Sequence, residues 1–193
     1  MTIETAMVRY NQHQIPDTDW NAVPLRCLIR HIVETHHAYL QTELPALEKL
    51  LGKNSRQGKE GPLLRDLQRV IQHLKRDLEL QMRKEETIVF PAVAELEAIV
   101  EAGGRMEHSQ FGSMANLSRI TAQDHDRAMR AIQEIRQVTG DYTCGKDCEP
   151  YMPPLFSRLA NLASDLHRHF HLEKNILFPR AVDLEKRGMT RCQ

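Results

Sequence analysis

The sequence predicts an all-α protein, folded as an up-down-up-down four-helix bundle. Three observations carry this. Four long stretches space their apolar residues three and four apart, the repeat of one helix face. No stretch alternates convincingly with the period of two of a half-buried strand. Aromatics are only 5% of 193 residues, which suits helices packed with Leu, Ile, Met and Ala better than a β-sandwich.

The first helix starts near Pro24, whose fixed φ and missing N–H suit a first helical position, and stops at Gly52. Its stripe is Leu25, Ile29, Ile32, Val33, Leu40, Leu44, Leu47 and Leu51. The second runs from Pro62 to about Glu101, before Gly103-Gly104, with the stripe Leu67, Ile71, Leu74, Leu78, Ile88, Ala92 and Leu96. The third runs from about Ser113 to Val138 and ends at Gly140; Met114, Leu117, Ala128, Ile132 and Ile135 form its stripe. The fourth runs from about Pro154 to Lys186 and ends at Gly188, with Leu155, Leu159, Leu162, Leu166 and Ile176. Pro45, Pro91 and Pro179 fall inside these patterns, and each is expected to kink or end its helix. Short connections make neighbouring helices antiparallel. The expected organisation is an N-terminal arm over 1–23, the bundle over 24–188 and a tail over 189–193.

Composition excludes several classes. Lys+Arg and Asp+Glu are both 26, so no basic field attracts nucleic acid or an anionic membrane. No apolar run approaches the ~20 residues of a membrane span, and Met1 to Asn21 lacks a signal-peptide core. A cytoplasmic protein, monomeric or weakly dimeric, is the expectation. Cys27, Cys144, Cys148 and Cys192 read as thiols, because the C-x3-C spacing is not that of a zinc site and no second pair exists.

Each apolar stripe is interrupted by polar residues: His36 or His37 in the first helix, Gln81 and Glu85 in the second, His125 in the third, His169 and Glu173 in the fourth. Residues four apart share a helix face. An unpartnered buried carboxylate or imidazole is costly, so these groups must meet something. His37 and His125, Gln81 and His169, and Glu85 and Glu173 are each separated by 88 residues. Glu85-Glu86-Thr87-Ile88-Val89-Phe90-Pro91 matches Glu173-Lys174-Asn175-Ile176-Leu177-Phe178-Pro179 at the same offset. The chain reads as two copies of one helical hairpin, placing a symmetric polar cluster in the core. Imidazoles and carboxylates together suit a dinuclear centre of iron, manganese or zinc. The alternative is a buried hydrogen-bonded His/Glu network; the repeat favours metal.

His37, Glu85, His125 and His169-x3-Glu173, with two E-x4-F-P motifs, Leu44-Pro45 and Asn175-Ile176-Leu177-Phe178-Pro179, resemble the hemerythrin-like domain. More narrowly they resemble the Ric di-iron proteins that repair iron–sulfur clusters. The likeness spans about Asp19 to Leu184. It implies a non-haem di-iron centre with His37, His125 and His169 as terminal ligands and Glu85 and Glu173 as carboxylate bridges. It also implies a role in nitrosative and oxidative stress: binding NO or O2, or supplying iron to damaged iron–sulfur proteins. A gas sensor, an NO- or peroxide-reducing enzyme and a bundle that has lost its metal are the competing readings.

Two departures stand out. The family has His where this chain has Gln81, so one iron is expected to be weakly held. His36 is the better substitute ligand or second-layer residue; Asp77 and His73 lie one and two turns before Gln81, and His73 is too far. Many family members begin with a small cysteine-bearing domain, and Met1–Val23 contains no cysteine. His167 and His171 are expected on a solvated face, His31 and His108 on the surface, Trp20 as an anchor for the arm, and Met82 and Met129 as core filler.

Overall fold

A computed structural model describes residues 18–54, 61–104, 112–146 and 148–190, with the side chain of 190 excepted. His13, His108 and Cys192 lie outside the described residues. The first rod comprises α1 (Leu25–His31), a π-turn (Ile32–His37) and α2 (Ala38–Asn54). The second comprises α3 (Gly61–Lys84), a π-turn (Glu85–Val89) and α4 (Phe90–Glu101). The third is α5 (Met114–Val138). The fourth comprises α6 (Met152–Leu172), a π-turn (Glu173–Leu177) and α7 (Phe178–Thr190). The rods pack antiparallel as the all-α four-helix bundle that the periodicity predicts: α1 lies on α4, α2 on α3 and α6, α3 on α5, and α5 on α7.

The starts and stops follow local chemistry. Ser113 precedes α5 and its Oγ accepts from Asn116 N at 3.2 Å, capping an orphan amide. Gly103 (φ 71°) follows the end of α4 in the left-handed region. Gly188 behaves differently from the expected stop. It is buried inside α7, and a Cβ there would approach Val100 Cγ2 to 3.1 Å. Its role is to let two rods approach closely rather than to end one.

None of the three prolines ends its rod, one of the two outcomes expected of them. α2 continues through Pro45, leaving the Gln41 carbonyl to solvent on an exposed face. Pro91 and Pro179 neither end nor break their rods. Phe90 N–H reaches Glu85 O and Phe178 N–H reaches Glu173 O, five residues back. The following proline has no N–H with which to restore the i→i−4 ladder at that point. The widened turn shifts the buried register by one. Val89 and Leu177 therefore face the core, while Ile88, assigned to the stripe, is 37% exposed and Ile176 is half-buried.

Two buried carboxylates each tie together the two rods of one hairpin. Glu97 accepts from the Leu25 and Arg26 amides at the start of α1, 2.5 and 3.0 Å away. Glu185 accepts from Met114 N at the start of α5 at 3.1 and 3.2 Å. These two glutamates are also 88 residues apart, 97 against 185. The repeat thus extends beyond the polar cluster to the caps, each satisfying amides that a helix start leaves unpaired.

The apolar interior falls into two clusters. One is built on Leu40, Leu44, Leu67, Leu74, Leu78, Ile132, Leu159 and Leu166. The other is built on Leu28, Ile32, Phe90, Val93, Leu96, Leu117, Leu177 and Phe178. Along every rod the polar interruptions fall between a member of the first cluster and a member of the second. The core is therefore divided by one polar layer.

Candidate metal centre

Three of the four rods widen into a π-turn at this layer. His37 is the last residue of one such turn, and Glu85 and Glu173 are the first residues of the others. His37, Glu85, His169 and Glu173 are fully buried, and one donor atom from each lies within 4.8 Å of all the others. His125, also buried, approaches the same carboxylates from the third rod, with Nε2 2.8 Å from Glu173 Oε2 and 3.9 Å from Glu85 Oε1. The five residues singled out by sequence are thus brought together, from all four rods.

The two carboxylates are placed equivalently. Glu85 turns Oε2 towards His37 Nε2 at 3.3 Å and Oε1 towards Gln81 Nε2, which donates at 2.9 Å. Glu173 turns Oε1 towards His169 Nε2 at 3.1 Å and Oε2 towards His125. Each carboxylate therefore offers one oxygen to the side of rods one and four, and the other to the side of rods two and three. That is the disposition a bridging ligand needs.

Several of these close contacts are not hydrogen bonds. His37 Nε2, Glu85 Oε2, His125 Nε2 and Glu173 Oε2 have no hydrogen-bond partner among the described residues, and neither does Gln81 Oε1. Buried polar atoms that converge without pairing carry a large desolvation cost unless something else satisfies them. Imidazole nitrogens and carboxylate oxygens are the donor set for first-row transition metals, iron included, so the residues fit such an ion.

The electrostatics show what occupies these groups when no cation does. Burial pushes the His125 imidazole down, but Glu173 and Glu85 outweigh it and raise its pKa from 6.5 to about 9. Burial likewise opposes charge on His37, yet Glu85 and Glu86 leave its pKa raised. Burial alone favours the neutral form of Glu85; the imidazoles of His125, His37 and His169 overcome that and hold its carboxyl far below the usual range. Protons on imidazole neutralise the carboxylates. A metal ion replaces them and releases protons as it binds.

The surroundings of the two sides differ. His37 Nδ1 is held by Glu86 Oε1 at 2.7 Å, the kind of outer contact that fixes a ligating ring. The repeat partner of Glu86 is Lys174, and His125 Nδ1 has no hydrogen-bond partner among the described residues; its ring stacks on Phe170 instead, centroids 3.9 Å apart. His36 stands on the side of rods one and four. Its Nδ1 pairs with Asp165 Oδ1 at 2.9 Å, and its ring stacks on His169 with centroids 5.4 Å apart. His73 and Asp77 are exposed. On the side of rods two and three a cavity of about 170 Å³ is lined by Gln81, Lys84, Glu85, Ile88, Thr121 and Asp124, among others. Lys84 pairs with Asp124 at its wall.

The sequence reading missed two contacts here. The Glu86–His37 contact links residues 49 apart and the His36–Asp165 contact links residues 129 apart. Neither has a periodic signal. His31, expected on the surface, is half-buried and stacks on Trp20, centroids 4.4 Å apart. Trp20 thereby anchors the entering chain, and Arg180 donates to the Trp20 and Val23 carbonyls at 2.5 and 2.6 Å. His167 and His171 are exposed, Met82 is buried, and Met129 packs against the core. Cys27, Cys144 and Cys148 form no disulfide among the described residues.

Comparison with known proteins bears on these features. The family described as Hemerythrin HHE cation binding domain matches residues 28–181. Proteins named Iron-sulfur cluster repair protein YtfE from Salmonella paratyphi B, Salmonella newport and Salmonella heidelberg are each 29% identical over 181 residues. These alignments cover 93% of this chain and 76% of theirs.

Proposed function

The chain belongs to the hemerythrin HHE cation binding domain family, and on that premise we propose that it is a carboxylate-bridged di-iron protein of nitrosative and oxidative stress that supplies iron for the repair of damaged iron–sulfur clusters. The observation that carries the reading is the convergence of buried, unpaired His and Glu donors on both sides of two carboxylates. His37, His125 and His169 are the terminal ligands and Glu85 and Glu173 the bridges. The printed name of the Salmonella relatives supports the repair role. When bound, iron supplies a redox-active cation with affinity for NO or O2.

The protein's own residues then have separable tasks. Glu86 holds His37 in one orientation. The two apolar clusters bound the polar layer above and below, and the cavity beside Gln81 and Glu85 lies on its flank. Gln81 contributes a neutral amide where the family has an imidazole, so one iron is the weaker bound of the two. The functional unit is the bundle, bounded by sequence at 24–188 and carried on by α7 to Thr190. Its place of action is the cytoplasm; among the described residues no helix is long and apolar enough to cross a membrane.

The test is iron transfer to an apo iron–sulfur protein under anaerobic conditions. Cluster formation faster than with an equal amount of free Fe2+ is expected; no advantage over free Fe2+ refutes donation. The cavity beside Gln81 and Glu85 supports a second reading, in which NO or O2 is bound reversibly or NO is reduced. Sustained NO consumption with an electron donor marks an enzyme, and reversible spectra without turnover mark a sensor.

A further inference from the structure

We propose that the two halves of the centre are unequal metal positions: a tight, iron-selective one between rods one and four, and an exchangeable one between rods two and three that also accepts Mn2+. The inference rests on the di-iron reading above and assigns the weak position to named residues.

On the side of rods one and four, His37 and His169 stand with centroids 5.0 Å apart and face one oxygen from each bridge. That set has two imidazoles and two carboxylates. On the side of rods two and three, His125 is the single imidazole facing the other oxygens, and the fourth corner is Gln81. Gln81 is 2% exposed, and its Oε1 has no partner among the described residues. Its Nε2 is the atom turned to Glu85 Oε1; with the amide turned over, it offers a cation one neutral oxygen.

A second, independent asymmetry acts in the same direction. His37 gains basicity from Glu86, whereas Nδ1 of His125, like that of His169, has no hydrogen-bond partner among the described residues, and Lys174 stands at the repeat position of Glu86. The weaker set also borders the cavity of about 170 Å³, whereas the His36 ring, paired with Asp165, stacks beside His169. Replacing imidazole by oxygen donors lowers affinity for Fe2+ more than for Mn2+, which carbonyl and carboxylate oxygen suit. The half with one imidazole therefore discriminates less between the two ions.

The experiment uses the full chain, stripped of metal anaerobically and refilled. Fe2+ is titrated against a chromophoric chelator, and a separate sample is loaded with equimolar Fe2+ and Mn2+, desalted, and read by elemental analysis and Mn2+ electron paramagnetic resonance. Loss of an outer ligand contact alone costs about 10–100-fold in affinity, so loss of a direct imidazole puts the second Fe2+ at least ~100-fold weaker than the first. Mixed loading is expected to place Mn2+ in one position per chain only. Gln81→His should close the affinity gap to within about tenfold and expel Mn2+ in favour of a second iron. His169→Gln should instead abolish the tight position. Two Fe2+ ions of equal affinity in the wild-type chain, or a Gln81→His variant with unchanged affinities and unchanged Mn2+ content, would overturn the inference and leave the di-iron reading standing. A folded chain that binds neither ion would overturn both.

Discussion

Replacing Glu97 by Ala should destabilise the bundle without emptying the centre. The Glu97 carboxylate is 6% exposed and accepts from the Leu25 and Arg26 amides, the first donors of α1. The Leu25 bond is buried and the Arg26 bond half-buried. Leaving a buried donor unpaired costs ~1–3 kcal/mol. Loss of a negative charge at a helix start adds ~0.3–1 kcal/mol. A total of about 2–4 kcal/mol follows, since the second amide is partly open to water. Glu97→Gln keeps one accepting oxygen and should lose roughly half as much. Glu97 lies 12 residues beyond Glu85 on the same rod, ~18 Å along a helix axis, so metal stoichiometry should not change. Urea denaturation of the metal-free protein gives the stability, and elemental analysis of the loaded protein gives the stoichiometry. A Glu97→Ala midpoint within ~0.5 kcal/mol of wild type would show that the cross-hairpin cap contributes nothing. Loss of metal from a folded variant would show that it does more than cap.

Three further outcomes are expected. Glu86→Ala frees His37 Nδ1 and should weaken the tighter metal position about 10–100-fold in chelator competition, while Lys174→Ala leaves both positions unchanged. The metal-free chain should be most stable between the usual carboxylate and imidazole ranges. His125, raised to about 9 from 6.5, contributes stability that is complete below 6.5 and is lost as pH climbs through about 9. Glu85, depressed from 4.5, contributes stability present above that value and lost on acidification. A metal-free unfolding midpoint that keeps rising from pH 6 to pH 9.5 would contradict the charged His/Glu layer. Finally, Val89→Asp should cost at least about 3 kcal/mol, by burying an unpaired carboxylate, whereas Ile88→Asp should cost under about 1 kcal/mol. Equal losses would contradict the register set by the π-turn.

The ligand candidates were readable from sequence because they interrupt apolar stripes. A polar residue at a core position has few explanations, and the 88-residue repeat from His37 to His125 and from Glu85 to Glu173 made coincidence a poor one. The register beyond Glu85 and Glu173 was not readable. A periodicity of 3.6 assigned Ile88 and Ile176 to the core, while one extra residue per widened turn puts Val89 and Leu177 there. Glu97 and Glu185 resembled surface charges, because their partners are amides 71 or 72 residues away. His36 was read as a substitute ligand or second-layer residue, since it adjoins His37 and neighbours on one helix look interchangeable in sequence. A turn of about 100° between neighbours sends it instead to Asp165 and His169, on the side of rods one and four.

The most direct measurement of the central claim is iron content per chain at saturating Fe2+, with a Mössbauer spectrum of the same anaerobic sample. Two carboxylates that each turn one oxygen to either side predict about two irons, magnetically coupled through the bridges. An iron-free chain with its helices intact by circular dichroism, or a single uncoupled iron at saturation, would contradict a dinuclear centre.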